Sequence, residues 1–245
     1  MALSLGPDND HEWTVYSIAI SEAEFMRFNL DNDGSPGTMV SVLLSRAIAR
    51  VNPDATDPIR VPLCVNQRKA LHAPLAHQSL VGGAILEYKD QMRSWPIDKQ
   101  ATAYRGMVFV QTQEELMLAM VNTIKGITQM LLSKENDQER MGIARMINSM
   151  GRSSSTATVS YVGKTNYQEA EKYIRDCRLW TSSSTGILVE ISAVNGRFTL
   201  DFMQEFSSPV YVNAFLKELE ENGIVYDLQD VSKLELADIR VPWEE

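Results

Sequence analysis

The stretch from Ile59 to Tyr88, IRVPLCVNQRKALHAPLAHQSLVGGAILEY, restricts the fold more than any other part of the chain. Ile59 to Val65 is apolar and rich in β-formers. It stops at the polar cluster Asn66-Gln67-Arg68. An irregular link containing Pro74 follows, and then a second apolar run, Ser79 to Tyr88, with Gly82-Gly83 near its start. Both runs are too short for isolated helices and are bounded by turn residues, so they read as two buried strands joined through a polar loop. A chain that must bury two such strands needs a sheet with helices or a second sheet laid on it.

The flanking segments supply those helices. Trp13 to Ile20 reads as a strand. Ser21-Glu22-Ala23-Glu24 has capping-box spacing, so a short helix should begin there and run through Phe28. Asp31 to Gly37 is a turn. From Met39 to Val51, the residues Val40, Leu43, Leu44, Ala47, Ile48 and Val51 share one face. Ser45, Arg46 and Arg50 fall on the other, and Pro53 ends the helix. Asp90 to Pro96 is a turn region. Ile97 to Leu132 has helical spacing broken near Gln111-Thr112. Its second piece carries a methionine stripe expected to be adaptable core, with an acyl-channel lining as the sharper reading. Met141 to Met150 is a further helix.

Beyond the polar linker Ser153 to Ala157 the pattern turns to β. Thr158 to Val162 is a strand closed by Gly163-Lys164, and Lys172 to Thr181 is a second candidate. Ile187 to Val194 and Arg197 to Met203 flank Asn195-Gly196, the pair that favours a type I′ hairpin turn. Val210 to Glu221 is an amphipathic helix capped at Asn222-Gly223. The expected architecture is α/β: a two-layer sandwich, one mixed β-sheet covered by helices. Residues 1–12 read as a disordered lead-in and 229–245 as an acidic tail that adds a short strand from Ile224 onward.

The net charge of −9 without blocks of like charge disfavours a nucleic-acid or anionic-membrane surface. No run of about 18 apolar residues suggests a membrane span, and the polar N-terminus does not resemble a signal peptide, so a cytoplasmic location is expected. Cys64 and Cys177 stand alone, which predicts buried reduced thiols and no metal site. His11, His72 and His77 occur in no HExxH or HxH spacing, and neither GxSxG nor a phosphate-binding glycine motif is present. Asn66 and Arg68, at the end of a buried strand, are either structural ties or a pocket edge. Lys164 is either a surface or a pocket lysine.

Several of these segments, taken in order, resemble the second half of the chloramphenicol-acetyltransferase-like superfamily, which includes condensation domains and alcohol acetyltransferases. Val65-Asn66-Gln67-Arg68 is similar to the family's V-N-x-R. The Gly82-Gly83 strand follows, and Ser160-Tyr161-Val162-Gly163 is similar to N-Y-x-G, or to D-F-G-W-G. The resemblance spans residues 13–228 and implies a CoA-dependent-acyltransferase-like C-terminal subdomain. It also implies an acyl-CoA or acyl-pantetheine thioester donor with no tightly bound cofactor, and substrate-channel positions at Asn66, Arg68, Gly82, Gly83, Ser160, Tyr161 and Lys164. The family's catalytic histidine lies in HHxxxDG on a first half that this sequence does not contain, so no catalytic residue carries over. The implied partners are that N-terminal catalytic half, in the same or a separate chain, and an acyl carrier protein. Where the family has the aspartate of D-F-G-W-G, this chain has Val159, so Arg68 must find another partner. The competing expectation is a non-catalytic docking module with the same sandwich.

Overall fold

A computed structural model describes residues 3, 13–75, 80–164, 167–181 and 185–234. Strand β1 (Trp13–Ser21) leads into α1 (Glu22–Asp31) and α2 (Pro36–Val51). Strands β2 (Ile59–Asn66) and β3 (Val81–Tyr88) follow, then a 3-10 turn (Asp90–Ser94). Three helices come next, α3 (Ile97–Gln111), α4 (Glu114–Leu132) and α5 (Asp137–Ser154). The chain returns through β4 (Thr158–Lys164), a 3-10 turn (Gln168–Tyr173), β5 (Ile187–Val194) and β6 (Arg197–Gln204). It closes the described part with α6 (Val210–Glu221) and β7 (Tyr226–Leu234).

Among the described residues these strands form one seven-stranded mixed sheet in the order β3-β2-β4-β5-β6-β1-β7. The β2-β4 and β4-β5 pairs are parallel and the others antiparallel. Its helix face carries alternate residues of every central strand: Ile18 and Ile20 of β1, Val61 and Leu63 of β2, Val159 of β4, Val189 and Ile191 of β5, Leu200 and Phe202 of β6. All are buried against α2 and α6 in one core. Removing that much apolar surface from water supplies the main driving force for the sandwich.

Local rules explain most element boundaries. The Ser21 hydroxyl accepts the Glu24 N–H at 3.5 Å and starts α1. Asn195 (φ 48°) and Gly196 (φ 74°) make the type I′ turn of the β5-β6 hairpin. Gly223 (φ 69°) ends α6, and the Ile224 N–H returns to the Leu219 carbonyl at 2.9 Å. The outer edge of β3 is protected: Gln111 of α3 bonds both the N–H and the carbonyl of Ile85 at 2.9 Å.

Four expectations are corrected. Ser45 does not face solvent; its hydroxyl meets that of buried Tyr104 at 2.8 Å, tying α2 to α3. Arg46 and Arg50 are likewise not on an idle outer face, because both grip buried Glu218 of α6. Lys172 to Thr181 is not a strand. Both edges of β4 are taken by β2 and β5, so no free edge there can receive another, and residues 174–181 cross the far face of the sheet. The methionine stripe of α4 is core only at Met117; Leu116, Ile124 and Met130 are exposed. The short strand expected from Ile224 onward is β7, paired with β1. Residues 235–245, His11, His77 and the lead-in other than Leu3 lie outside the described residues.

Candidate functional site

Side chains alternate across a strand, so the register also defines the face turned away from the helices. At one level it presents one residue from each strand, in sheet order: Gly83, Cys64, Ser160, Glu190, Asp201, Ser17 and Asp230. Gly83 pairs with Cys64, Ser160 with Glu190, Glu190 with Asp201, Asp201 with Ser17, and Ser17 with Asp230. Cys64 and Ser160 are brought side by side by the parallel Leu63-Val159 register. This polar row is the main chemical feature of that face.

Residues 174–181 lie over half of the row. The Leu179 N–H donates to Asp201 Oδ2 at 2.7 Å, and Ser17 Oγ donates to Oδ1 at 2.6 Å. Arg178 reaches Asp230 at 2.9 Å, and Ser192 donates to the Cys177 carbonyl. Asp201 is thus a structural anchor. Burial pushes its carboxyl up, and the donors from Ser17 and Leu179 work against that.

The other half of the row is more open. Cys64 and Ser160 are half-buried, while Glu190 is 7% exposed. Ser160 lies between Cys64 and Glu190 in the register. Burial raises the Glu190 carboxyl; the Ser160 hydroxyl opposes this and the neighbouring Asp201 charge adds to it. Burial also raises the Cys64 thiol, with the Glu190 charge contributing. Oε2 of Glu190 is buried with no hydrogen-bond partner. Val81 (50% exposed) and Ile85 (37% exposed) continue this open face along the edge strand.

The sequence-predicted positions divide over several places. Asn66 and Arg68 come together at the end of β2: Asn66 Oδ1 accepts the Arg68 backbone N–H at 3.0 Å and its guanidinium at 3.3 Å. Asn66 thus gives Arg68 a partner, while Val159 is buried in the core. With Lys69, His72 and Pro74 they line an open basin of about 590 Å³. His72 is exposed and meets Glu114 at 3.1 Å. Gly82 faces the helices, where an added Cβ would lie 2.3 Å from Gln67 Nε2 and 2.9 Å from Met120 Sδ. The close passage there is that of Gln67 and α4. Gly83 and Ser160 lie on the opposite face, within the polar row. Tyr161 turns to the core and packs on Phe198, and Lys164 is exposed in an ion pair with Glu22 at 3.1 Å.

Sequence reasoning did not single out Glu190 and Asp201. The signal was an isolated acid inside an apolar β run, ILVEISAV and RFTLDFMQ, with the hairpin placing the two acids directly opposite each other.

No protein-family model and no curated protein sequence matches the chain. Solved structures do match. The nonribosomal peptide synthetase FmoA3 (S1046A) aligns at a TM-score of 0.60 with 13% identity, covering 91% of this chain and 22% of that one. The fold is that of condensation and CoA-acyltransferase domains. F. sporotrichioides TRI101, crystallised with coenzyme A and T-2, shares this condensation/acyltransferase fold at a TM-score of 0.56 and 13% identity. The match covers 91% of this chain and 54% of that one. Polyketide synthase associated protein 5 from Mycobacterium tuberculosis aligns at 0.55 and 13%, covering 85% and 52%. The chain therefore spans 22% to 54% of the length of these structures. No helix among the described residues is long and apolar enough to cross a membrane.

Proposed function

We propose that this chain is the C-terminal half of a thioester-dependent acyltransferase or condensation-like enzyme and works against a second half that completes the catalytic site. The observation that carries this reading is the coverage. Nearly all of the chain aligns with about half of TRI101 and of polyketide synthase associated protein 5. Exposed apolar surface supports it: Leu116, Ile124 and Met130 on α4, and Val81 and Ile85 on the open sheet face, are surfaces a second half would cover. The donor is an acyl-CoA or a carrier-protein-borne acyl-pantetheine, met in the cytoplasm. Arg68 and Lys69 of the basin give its anionic groups a cationic rim. Asn66, Gly83 and Ser160 contribute to the channel wall, and the general base comes from the other half.

The test is to incubate the purified chain with acetyl-CoA and alcohol or amine acceptors and follow release of the free thiol. Alone it should show no turnover above the uncatalysed rate. Mixed with a separately expressed half carrying HHxxxDG, it should form a stable complex and turn over. Robust turnover by this chain alone, or failure of any such half to bind, would overturn the reading.

A further inference from the structure

We propose that Cys64 is an acyl acceptor, a thiol that takes the acyl group of a thioester in exchange for the donor thiol, with its proton drawn through Ser160 towards Glu190. The proposal deepens the reading of the chain as one that handles thioesters and rests on it. Three features of the open half of the sheet carry it.

The first is access. The cross-strand neighbour of Cys64 is Gly83, so no side chain stands beside the thiol on that side. A Cβ added at Gly83 would meet nothing nearer than Pro62 Cβ at 3.9 Å, so the space is real. Val81 and Ile85 flank this gap on the same strand face and give an acyl chain an apolar floor.

The second is connectivity. Strand order and register set Ser160 between Cys64 and Glu190, placing thiol, hydroxyl and carboxylate side by side on one face of three adjacent strands. The third is the carboxylate itself. Glu190 is more than nine-tenths buried and keeps one oxygen without a partner, although its neighbour Asp201 is fully served by Ser17 and Leu179. Structural needs explain Asp201 and leave Glu190 unexplained.

The chemistry balances without an added reagent. The Cys64 sulfur attacks the thioester carbonyl while its proton passes to Ser160 Oγ and the Ser160 proton passes to the Glu190 carboxylate. A carbon–sulfur bond to Cys64 forms. The tetrahedral species then expels the donor thiolate, which takes a proton back along the same path. One thioester replaces another and one thiol replaces another. Because burial holds the thiol protonated at neutral pH, attack needs such a proton acceptor, and a carboxyl raised by burial is a better base than an ordinary one. The groups around Glu190 are Ser160 on β4, Asp201 on β6 and Cys64 on β2. Arg178 on the overlying segment is engaged by Asp230 and Asp176. In this scheme Cys64 is the nucleophile, Ser160 relays its proton, and Glu190, acting through Ser160, accepts it.

The full chain is incubated with acetyl-CoA, or with S-acetyl-N-acetylcysteamine, and peptide mass mapping locates the product. The expected result is one acetyl group on Cys64 and none on Cys177, abolished in Cys64→Ala. Glu190→Gln, nearly isosteric, should slow acylation by about 100-fold, the lower range for a lost proton acceptor. Gly83→Val should block the thioester while leaving the fold intact. Iodoacetamide reports the relay without any thioester: the wild-type alkylation rate should show an extra rise as Glu190 loses its proton, absent in Glu190→Gln. A purely structural role would not move that profile. Acetyl groups spread over lysines or shared with Cys177 would overturn the proposal, as would a pH profile unchanged by Glu190→Gln. Unacylated Cys64 in a chain that still turns over with a second half would overturn Cys64 alone and leave the half-enzyme reading standing.

Discussion

Glu218→Ala should cost this protein more than any change on its surface, and the structure gives the size. Glu218 of α6 is 1% exposed and takes three hydrogen bonds from α2: Arg46 Nε at 2.6 Å, and Arg50 Nε and Nη2 at 3.0 and 2.5 Å. Removing one partner of a buried pair leaves uncompensated charge, which costs about 3–5 kcal/mol when water cannot reach it. Here the Arg46 and Arg50 side chains are 25% and 33% exposed, and Arg50 keeps Glu221 at 2.5 Å. Water and Glu221 recover part of the loss, so the expected destabilisation is about 2–3 kcal/mol. At this chain length that lowers the melting temperature by roughly 8 °C. The assay is equilibrium urea unfolding, with a double-mutant cycle of Glu218→Ala against Arg46→Ala to isolate the pair. Because the carboxylate is buried, the loss should persist at 1 M salt, whereas any contribution of the exposed Arg50–Glu221 contact should fade. A loss below about 1 kcal/mol, the range of exposed ion pairs, with no coupling in the cycle, would refute the argument that this contact clamps α6 to α2.

Tyr104→Phe removes the hydroxyl that meets Ser45 in the core, and should lower unfolding free energy by about 1 kcal/mol without altering the far-UV spectrum. For Glu190→Gln the sign follows from a folded-state pKa raised above the unfolded one. The wild-type carboxyl stabilises the fold while protonated and loses that contribution as pH rises through its raised pKa. Urea unfolding from pH about 4 to about 8 should therefore show the variant gaining on the wild type toward neutral pH; a constant difference would contradict this. Ile124→Asp together with Met130→Asp on the exposed face of α4 should leave the melting temperature within a few degrees and weaken binding to a complementary half, as measured by calorimetric titration. Gly196→Val, at φ 74°, should destabilise the β5-β6 hairpin by about 1–2 kcal/mol in the same unfolding assay.

Much of the fold was legible because the signals were local. The apolar faces of β1 and α2, the Asn195-Gly196 turn and the Gly223 cap each need only a few neighbouring residues to be read. The misreadings share one cause, which is contact made at long range. Ser45 and the two arginines look solvated on a helical wheel, yet Tyr104 and Glu218 arrive from 59 and 172 positions away to receive Ser45 and Arg46. The stripe on α4 has core spacing, but Met117 and Met120 of α4 meet Gln67 just past the end of β2, and Leu116, Ile124 and Met130 stay exposed. Residues 172–181 have β-forming character, but both edges of the preceding strand, β4, are already paired. The site was less legible still. Ser160 and Tyr161 are adjacent in sequence and sit on opposite faces of the sheet. Cys64, Ser160 and Glu190 become neighbours only through the strand order β2-β4-β5.

The two buried glutamates separate what the architecture requires from what it does not. Burying a carboxylate is unfavourable unless cations or donors offset it. At Glu218 two arginines do so, and the result is a helix clamp whose purpose is complete within this chain. At Glu190 the cross-strand neighbours are the Ser160 hydroxyl and Asp201, which adds like charge, and one carboxylate oxygen keeps no partner. A leucine or methionine there would extend the small apolar cluster of Val15, Leu188 and Met203 on the same face at no desolvation cost. A sheet that instead carries a buried acid with an unused oxygen departs from the way Glu218 and Asp201 are satisfied. Such departures concentrate where a protein does chemistry or receives a partner. If the half-enzyme reading we propose holds, the end of the polar row at Gly83, Cys64 and Ser160 is the wall a second half would close, beside the buried Glu190 carboxylate.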